Sequence, residues 1–228
     1  MAAKRSAGKG KNPLTAKNGP SQATVLGIIV VVAFAALVGF GVYWNNQPAE
    51  LIVPQNATAQ GVPTGNPDAP TKIDVYLDFQ CPACKQFEEM SGSTLDELRN
   101  NGQAEIIYHP IAILDRASTD RYSSRSAAAS GCAADAGVFP EFEKLLYANQ
   151  PTEGGPGLTT EQLGQLGEQA GAGPEFTQCV EDERYETWAQ GITQQAFQAD
   201  VQSTPTVRVN GQPLEQPTPD ALRQAAVG

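Results

Sequence analysis

The chain has 228 residues, 40% of them hydrophobic, with 15 basic and 25 acidic side chains, a formal charge of −10, four cysteines and one histidine. That length accommodates one sizeable domain with appendages. Five basic residues and no acidic ones precede Thr24, so the remainder sets ten basic against 25 acidic groups, and a surface that acidic repels phosphates and excludes a nucleic-acid-binding role.

Residues 1–23 are small, basic and Gly-rich, and read as a disordered cytoplasmic tail. Residues 24–44 follow as a transmembrane anchor. Val25 to Trp44 is uncharged, and at ~1.5 Å per residue a helix of this length crosses the ~30 Å hydrocarbon layer. Tyr43 and Trp44 suit the headgroup level at its end. The cations Lys4, Arg5, Lys9, Lys11 and Lys17 predict a cytoplasmic N-terminus and an extracytoplasmic C-terminus. A cleaved signal peptide is the alternative, but its apolar core is normally ~7–15 residues, and the nearest small-x-small site, Ala57-Thr58-Ala59, lies well downstream. Residues 45–65, rich in Pro, Gln, Asn, Ala and Gly without a sustained period, read as an extracytoplasmic linker. The domain proper is placed at 66–228.

Ile73, Val75, Leu77 and Phe79 alternate with Lys72, Asp74, Tyr76 and Asp78, the period-two pattern of a strand. The strand delivers Gln80-Cys81-Pro82-Ala83-Cys84. Pro82 suits the first position of a helix, where its missing N–H costs nothing, and this puts Cys81 at the N-cap. The helix is expected to break or kink at Gly92 and to restart at a capping box from Thr94 to Glu97. A thiolate at a helix head faces unpaired N–H groups and the positive end of the dipole, which lowers its pKa from ~8.5. Cys81 is therefore the candidate attacking sulfur, and Cys84, one turn on, the resolving one. Zinc needs about four ligands; with no second CxxC and His109 the only histidine, no metal is expected. Asp78 is placed either to tune the thiol electrostatically or to bond loop backbone.

These residues, together with Ser203-Thr204-Pro205-Thr206-Val207 and the turn Asn210-Gly211, resemble the DsbA-like branch of the thioredoxin superfamily, the extracytoplasmic thiol:disulfide oxidoreductases. The resemblance runs from about Pro63 to the C-terminus. It implies an α/β thioredoxin-like fold with a helical insertion, here about 115–200, preceded by a single transmembrane helix. It implies catalytic Cys81 and Cys84, a cis bend at Pro205, and main-chain contacts to substrate from Thr204. It also implies reduced or unfolded exported proteins as partners, a membrane quinone-linked thiol oxidase that reoxidises the pair, and no cofactor. Strongly oxidising members often carry Pro-His inside the CxxC; here Pro82-Ala83 offers the thiolate no side-chain hydrogen bond. A reductase or isomerase of the same fold, and a non-catalytic thioredoxin-like binding or chaperone module, are the alternative readings.

Gln103 to His109 reads as a second strand, followed by helices at about Tyr122–Ala136, Pro140–Asn149, Thr160–Ala170 and Pro174–Ala199, the last with a break. The Gly-rich stretch from Glu153 to Gly157 lacks the Lys-Ser/Thr of a phosphate-binding loop. His109, alone before Pro110, reads as structural. Cys132 and Cys179 fall in two of the helices. Outside a membrane an even cysteine count invites pairing, and some Gram-positive relatives carry a comparable second bridge, so a structural disulfide is expected there. Two buried reduced cysteines are the alternative. Pro205 to Val209 forms a short strand closed by the Asn210-Gly211 turn, and Thr218 to Val227 a final helix.

Overall fold

The computed structural model describes residues 20–45 and 51–227 and divides the chain into two units, 1–49 and 50–228. The first holds one helix, α1 (Gln22–Asn45), whose span from Gln22 to Trp44 is long and apolar enough to cross a membrane. The tail expected at 1–23 lies outside the described residues up to residue 19.

The second unit is built on a five-stranded sheet in the order β1 (Val62–Thr64), β3 (Ala104–Pro110), β2 (Thr71–Leu77), β4 (Thr206–Val209), β5 (Gln212–Pro213). β2 and β3 run parallel, as a strand pair joined by a crossover helix must, and the other neighbours are antiparallel. Ile73, Val75 and Leu77 point into the core from alternate positions of β2. Helix α2 (Pro82–Asn100) supplies the crossover and buries Cys84, Phe87, Ser91, Leu95 and Leu98, a stripe at three- and four-residue spacing. Each fully buried leucine there contributes roughly 1.5–3 kcal/mol of hydrophobic stabilisation.

Helix α2 is continuous through Gly92, contrary to the break expected there. The site of the absent Cβ is occupied by the Glu88 carboxylate, so the glycine is a close approach rather than a stop. Ser91 and Thr94, buried in the helix interior, are packing residues; the Ser91 hydroxyl donates to the Pro217 carbonyl at 2.9 Å.

Between β3 and β4 lie α3 (Tyr122–Asp135), α4 (Phe139–Ala148), α5 (Thr160–Gln169), α6 (Glu175–Glu181) and α7 (Glu186–Gln198), and α8 (Pro219–Val227) closes the domain. The α6–α7 break falls where Glu183 takes a left-handed conformation, φ 45°. Asn210 and Gly211, at φ 50° and 78°, make the two-residue turn between β4 and β5. Positive φ at both central positions matches the right-handed twist of the strands.

The linker at 45–65 needs correction: from residue 51 the chain belongs to the domain. Pro54 is buried, and the Asn56 side-chain amide donates to the Ala134 carbonyl at 3.0 Å. The carbonyls of Thr58, Ala59 and Gln60 are taken in turn by Trp188 Nε1 at 2.8 Å, Gln195 Nε2 at 3.0 Å and His109 Nδ1 at 2.7 Å. The strap then enters the sheet as β1, pairing Val62 with Tyr108 and covering the open edge of β3. Its polar composition is that of a solvated tether, but its backbone groups are bonded by side chains from β3 and α7, and composition does not encode those distant partners.

Candidate active site

Strand β2 ends at Leu77, two residues before its alternation does, because Asp78 leaves the ladder and organises the turn that follows. The Asp78 carbonyl accepts from Cys81 N at 2.9 Å. Its carboxylate accepts from Gln80 N at 2.9 Å, Ser123 Oγ at 2.8 Å, Ile113 N at 2.9 Å and Leu114 N at 3.0 Å. Burial pushes the Asp78 carboxyl up, and these four bonds pull back against it. Of its two sequence roles, the geometry displays the backbone-bonding one: the side chain knits the turn to the loop after β3 and to α3.

Cys81 sits at the N-cap of α2 with extended backbone, φ −75° and ψ 118°, and Pro82 begins the helix. The Cys81 carbonyl accepts from Cys84 N at 3.1 Å and Lys85 N at 3.2 Å. Pro82 and Ala83 are exposed, whereas Cys84 is buried at 1% exposure beside a 7% exposed Cys81. Both cysteines are free thiols. The Thr204–Pro205 peptide is cis. Antiparallel pairing sets Thr206 opposite Tyr76, so the residues just before β4 project past the end of β2 toward the CxxC turn. There the Cys81 thiol donates to the Thr204 carbonyl at 3.3 Å. Cys81 and Cys84 thus converge at one end of the sheet with Thr204 and Pro205, which lie more than 100 residues further along the chain.

The two sulfurs are electrostatically unequal. The hydrogen bond from the Cys84 thiol pulls the Cys81 pKa down to about 5; burial opposes this, and the Thr204 side chain and the amides of Cys84 and Ala83 assist. Burial, followed by the bond to Cys81 and the repulsion of its charge, pushes Cys84 far upward. The two environments thus favour ionisation at Cys81 and the protonated thiol at Cys84.

Cys132 and Cys179 are joined by a disulfide that ties α3 to α6, with the Cα atoms 6.0 Å apart. His109 lies outside the CxxC site: Nδ1 meets the Gln60 carbonyl and Nε2 the Asp74 carboxylate at 2.8 Å, with the ring stacked on Tyr76. Among the described residues, no three His, Cys, Asp or Glu side chains gather as metal ligands.

Sequence reasoning missed two residues of the helical insert. Tyr147 packs its ring against Phe79, 5.4 Å between centroids, and donates its hydroxyl to the Asp78 carbonyl at 3.4 Å. Gln150 donates to the carbonyls of Phe79 and Cys81. Both stand about the end of α4, far from the CxxC in sequence, and no local pattern marks them.

A thioredoxin-like sheet that presents a CxxC at a helix head against a cis-proline loop defines a thiol–disulfide oxidoreductase domain of the DsbA type. The family model described as thioredoxin matches residues 57–226. The reduced form of the disulfide bond oxidoreductase DsbG from Mycobacterium tuberculosis is 34% identical, with a TM-score of 0.63 over 75% of this chain and 84% of that one. DsbA from the same organism, in its reduced form, is 32% identical, with a TM-score of 0.63 over 75% and 88% of the two chains. The serine/threonine-protein kinase PknE of Mycobacterium tuberculosis is 32% identical over 127 residues, 53% of this chain; the match spans about a fifth of the kinase, 22% of its length. The chain belongs to the thioredoxin family, in its DsbA-like branch.

Proposed function

We propose that the protein is a membrane-tethered disulfide donor, oxidising exported proteins by exchange at Cys81 and Cys84. The observation that carries this reading is the inequality of the two sulfurs: an acidic thiol at a helix head, with a buried, protonated partner one turn behind. In the oxidised enzyme a client thiolate attacks Cys81 Sγ. A client–Cys81 disulfide forms, the Cys81–Cys84 bond breaks, and the departing Cys84 sulfur takes up a proton. A second client thiolate then attacks the client's own sulfur in that mixed disulfide. The client leaves with a disulfide, and Cys81 leaves as a thiolate carrying the electron pair.

The depressed Cys81 pKa gives the exchange its direction. A thiol whose pKa is lower in the folded protein than its ordinary 9.0 stabilises the folded reduced state fully above pH 9. The contribution shrinks between pH 9 and about 5 and is gone below that. Across neutral pH the reduced pair is thus favoured, and the disulfide is readily given away. Thr204, whose carbonyl already meets the Cys81 sulfur, is positioned to pair with the backbone of an extended client beside the cis proline.

The apolar helix α1 supports anchoring in a membrane, and the five cations before it support a cytoplasmic N-terminus with the domain outside. We assign reoxidation of the pair to a quinone-linked membrane thiol oxidase, the partner that the family resemblance implies. We assign Cys132–Cys179 a structural role.

Iodoacetamide alkylation of the reduced protein, followed by mass spectrometry across pH, tests the reading. The rate at Cys81 is expected to be flat above about pH 6 and to fall roughly tenfold per unit below about pH 5, with Cys84 unmodified. A midpoint near the ordinary value of about 8.5 would remove the basis of the proposal.

A further inference from the structure

The carbonyls of Phe79 and Cys81 bracket Gln80 in the turn that joins β2 to α2, and both accept from one atom. Gln150 Nε2 lies 2.9 Å from the first and 3.0 Å from the second, having come 71 and 69 residues along the chain to reach them. A carboxamide nitrogen has two hydrogens, so Gln150 commits its whole donor capacity to this turn. One turn earlier, Tyr147 takes the Asp78 carbonyl. The insert thereby holds the backbone at residues 78, 79 and 81.

The head of α2 has no side-chain cap of its own. A cysteine sulfur is a weak acceptor, and in this enzyme that sulfur must stay free to change partners. The restraint that a Ser or Asp would normally supply through its side chain therefore has to come from elsewhere. It comes through the carbonyl of the N-cap residue, which accepts from Gln150 in addition to its two helical donors, Cys84 N and Lys85 N.

We propose that Gln150 is a positioning residue for thiol–disulfide exchange, pinning the Phe79 and Cys81 carbonyls so that Cys81 stays at the head of α2 while its sulfur passes between Cys84 and a client. The amides of Ala83 and Cys84 support a thiolate at Cys81 only while the N-cap peptide keeps them aimed at it. Without Gln150 the turn loses two anchoring bonds, the aim loosens, and the thiolate loses part of its support. The donor hydrogens of Gln150 also bring positive partial charge to this end of the helix, so both effects act in the same direction. The inference rests on Cys81 being the reactive thiolate.

The test is the pH profile of Cys81 alkylation in the reduced full-length protein in detergent, for wild type, Gln150→Leu, Gln150→Asn and, as a neighbouring control, Asn149→Ala. Gln150→Leu keeps the bulk and removes the donors. Its midpoint is expected to rise by about half to one pH unit, and its rate at pH 5 to fall roughly two- to fivefold, the scale of one lost hydrogen bond. Above pH 7 the two rates converge, because both proteins are then fully thiolate. Gln150→Asn, one methylene shorter, keeps the carboxamide but draws it back from the turn, and is expected to fall between the two; it also serves if the leucine variant does not fold. Asn149→Ala leaves the profile unmoved. Folded Gln150 variants whose profiles superimpose on wild type would overturn the positioning role while leaving the nucleophile in place. A wild-type midpoint at the ordinary thiol value would overturn both.

Discussion

With Cys84 replaced by Ala, the protein is expected to accumulate clients joined covalently through Cys81, as conjugates that vanish on reduction. In the wild type a mixed disulfide at Cys81 has a second thiol one turn away, held in a short loop that makes intramolecular attack fast. In Cys84→Ala the Cys81 thiolate attacks a client disulfide, and one client sulfur leaves as a thiolate. The client–Cys81 disulfide that forms lacks the Cys84 escape and is released only when the client's freed thiol or an outside thiol attacks the client sulfur. The asymmetry of the pair decides which sulfur is trapped. Cys81 is the more exposed of the two and ionises at about 5, whereas Cys84 is buried and held as a thiol. The check is a non-reducing gel of membranes from cells producing the variant, with Cys81→Ser/Cys84→Ala beside it. Conjugates go from background to the main species in the first lane and are absent from the second. A Cys84→Ala lane as clean as the double variant would mean that Cys81 does not exchange with proteins.

Removal of the Cys132–Cys179 bridge is expected to lower stability by ~4 kcal/mol, the chain-entropy value for cysteines 47 residues apart. For a domain of this size that corresponds to a fall in melting temperature of roughly 8–16 °C. Cys132→Ala/Cys179→Ala is the suitable variant, because both cysteines are buried and alanine neither strands a polar group nor overpacks the site. The bridge ties α3 to α6 across the whole of α4 and α5, so the unfolded chain without it regains the freedom of most of the insert. Calorimetry on the protein with and without the bridge gives the answer. An unchanged melting temperature would mean that α3–α6 packing alone fixes that geometry.

Much of the site was legible because its parts are written locally. A period-two run, a proline at the first helical position and an Asn-Gly turn each act through neighbouring residues, and β2, α2 and the β4–β5 hairpin follow from them. The juxtaposition of Cys81 with Thr204 was legible only through resemblance, since it depends on β4 pairing with β2 across the insert. What escaped was everything carried by distant hydrogen bonds. The strap from Leu51 looked like a tether because its residues are small and polar, yet Trp188, Gln195 and His109 consume its carbonyls one after another. Gly92 looked like a helix stop because glycine is a poor helix former. The helix continues there because α2 is held by its packed face, and the Glu88 carboxylate uses the space. Gln150 carried no signal at all: it is one of many glutamines, set apart only by where the end of α4 delivers it.

The most direct test of the central claim is the reduction potential of the Cys81–Cys84 pair. The purified protein is equilibrated in glutathione buffers of defined ratio, and its free thiols are counted by mass tagging. Stabilisation of the Cys81 thiolate predicts a value near or above about −200 mV, among disulfide donors. A value near or below about −270 mV would make the pair a reductant and contradict the proposed direction of exchange, leaving the fold and the site geometry as described.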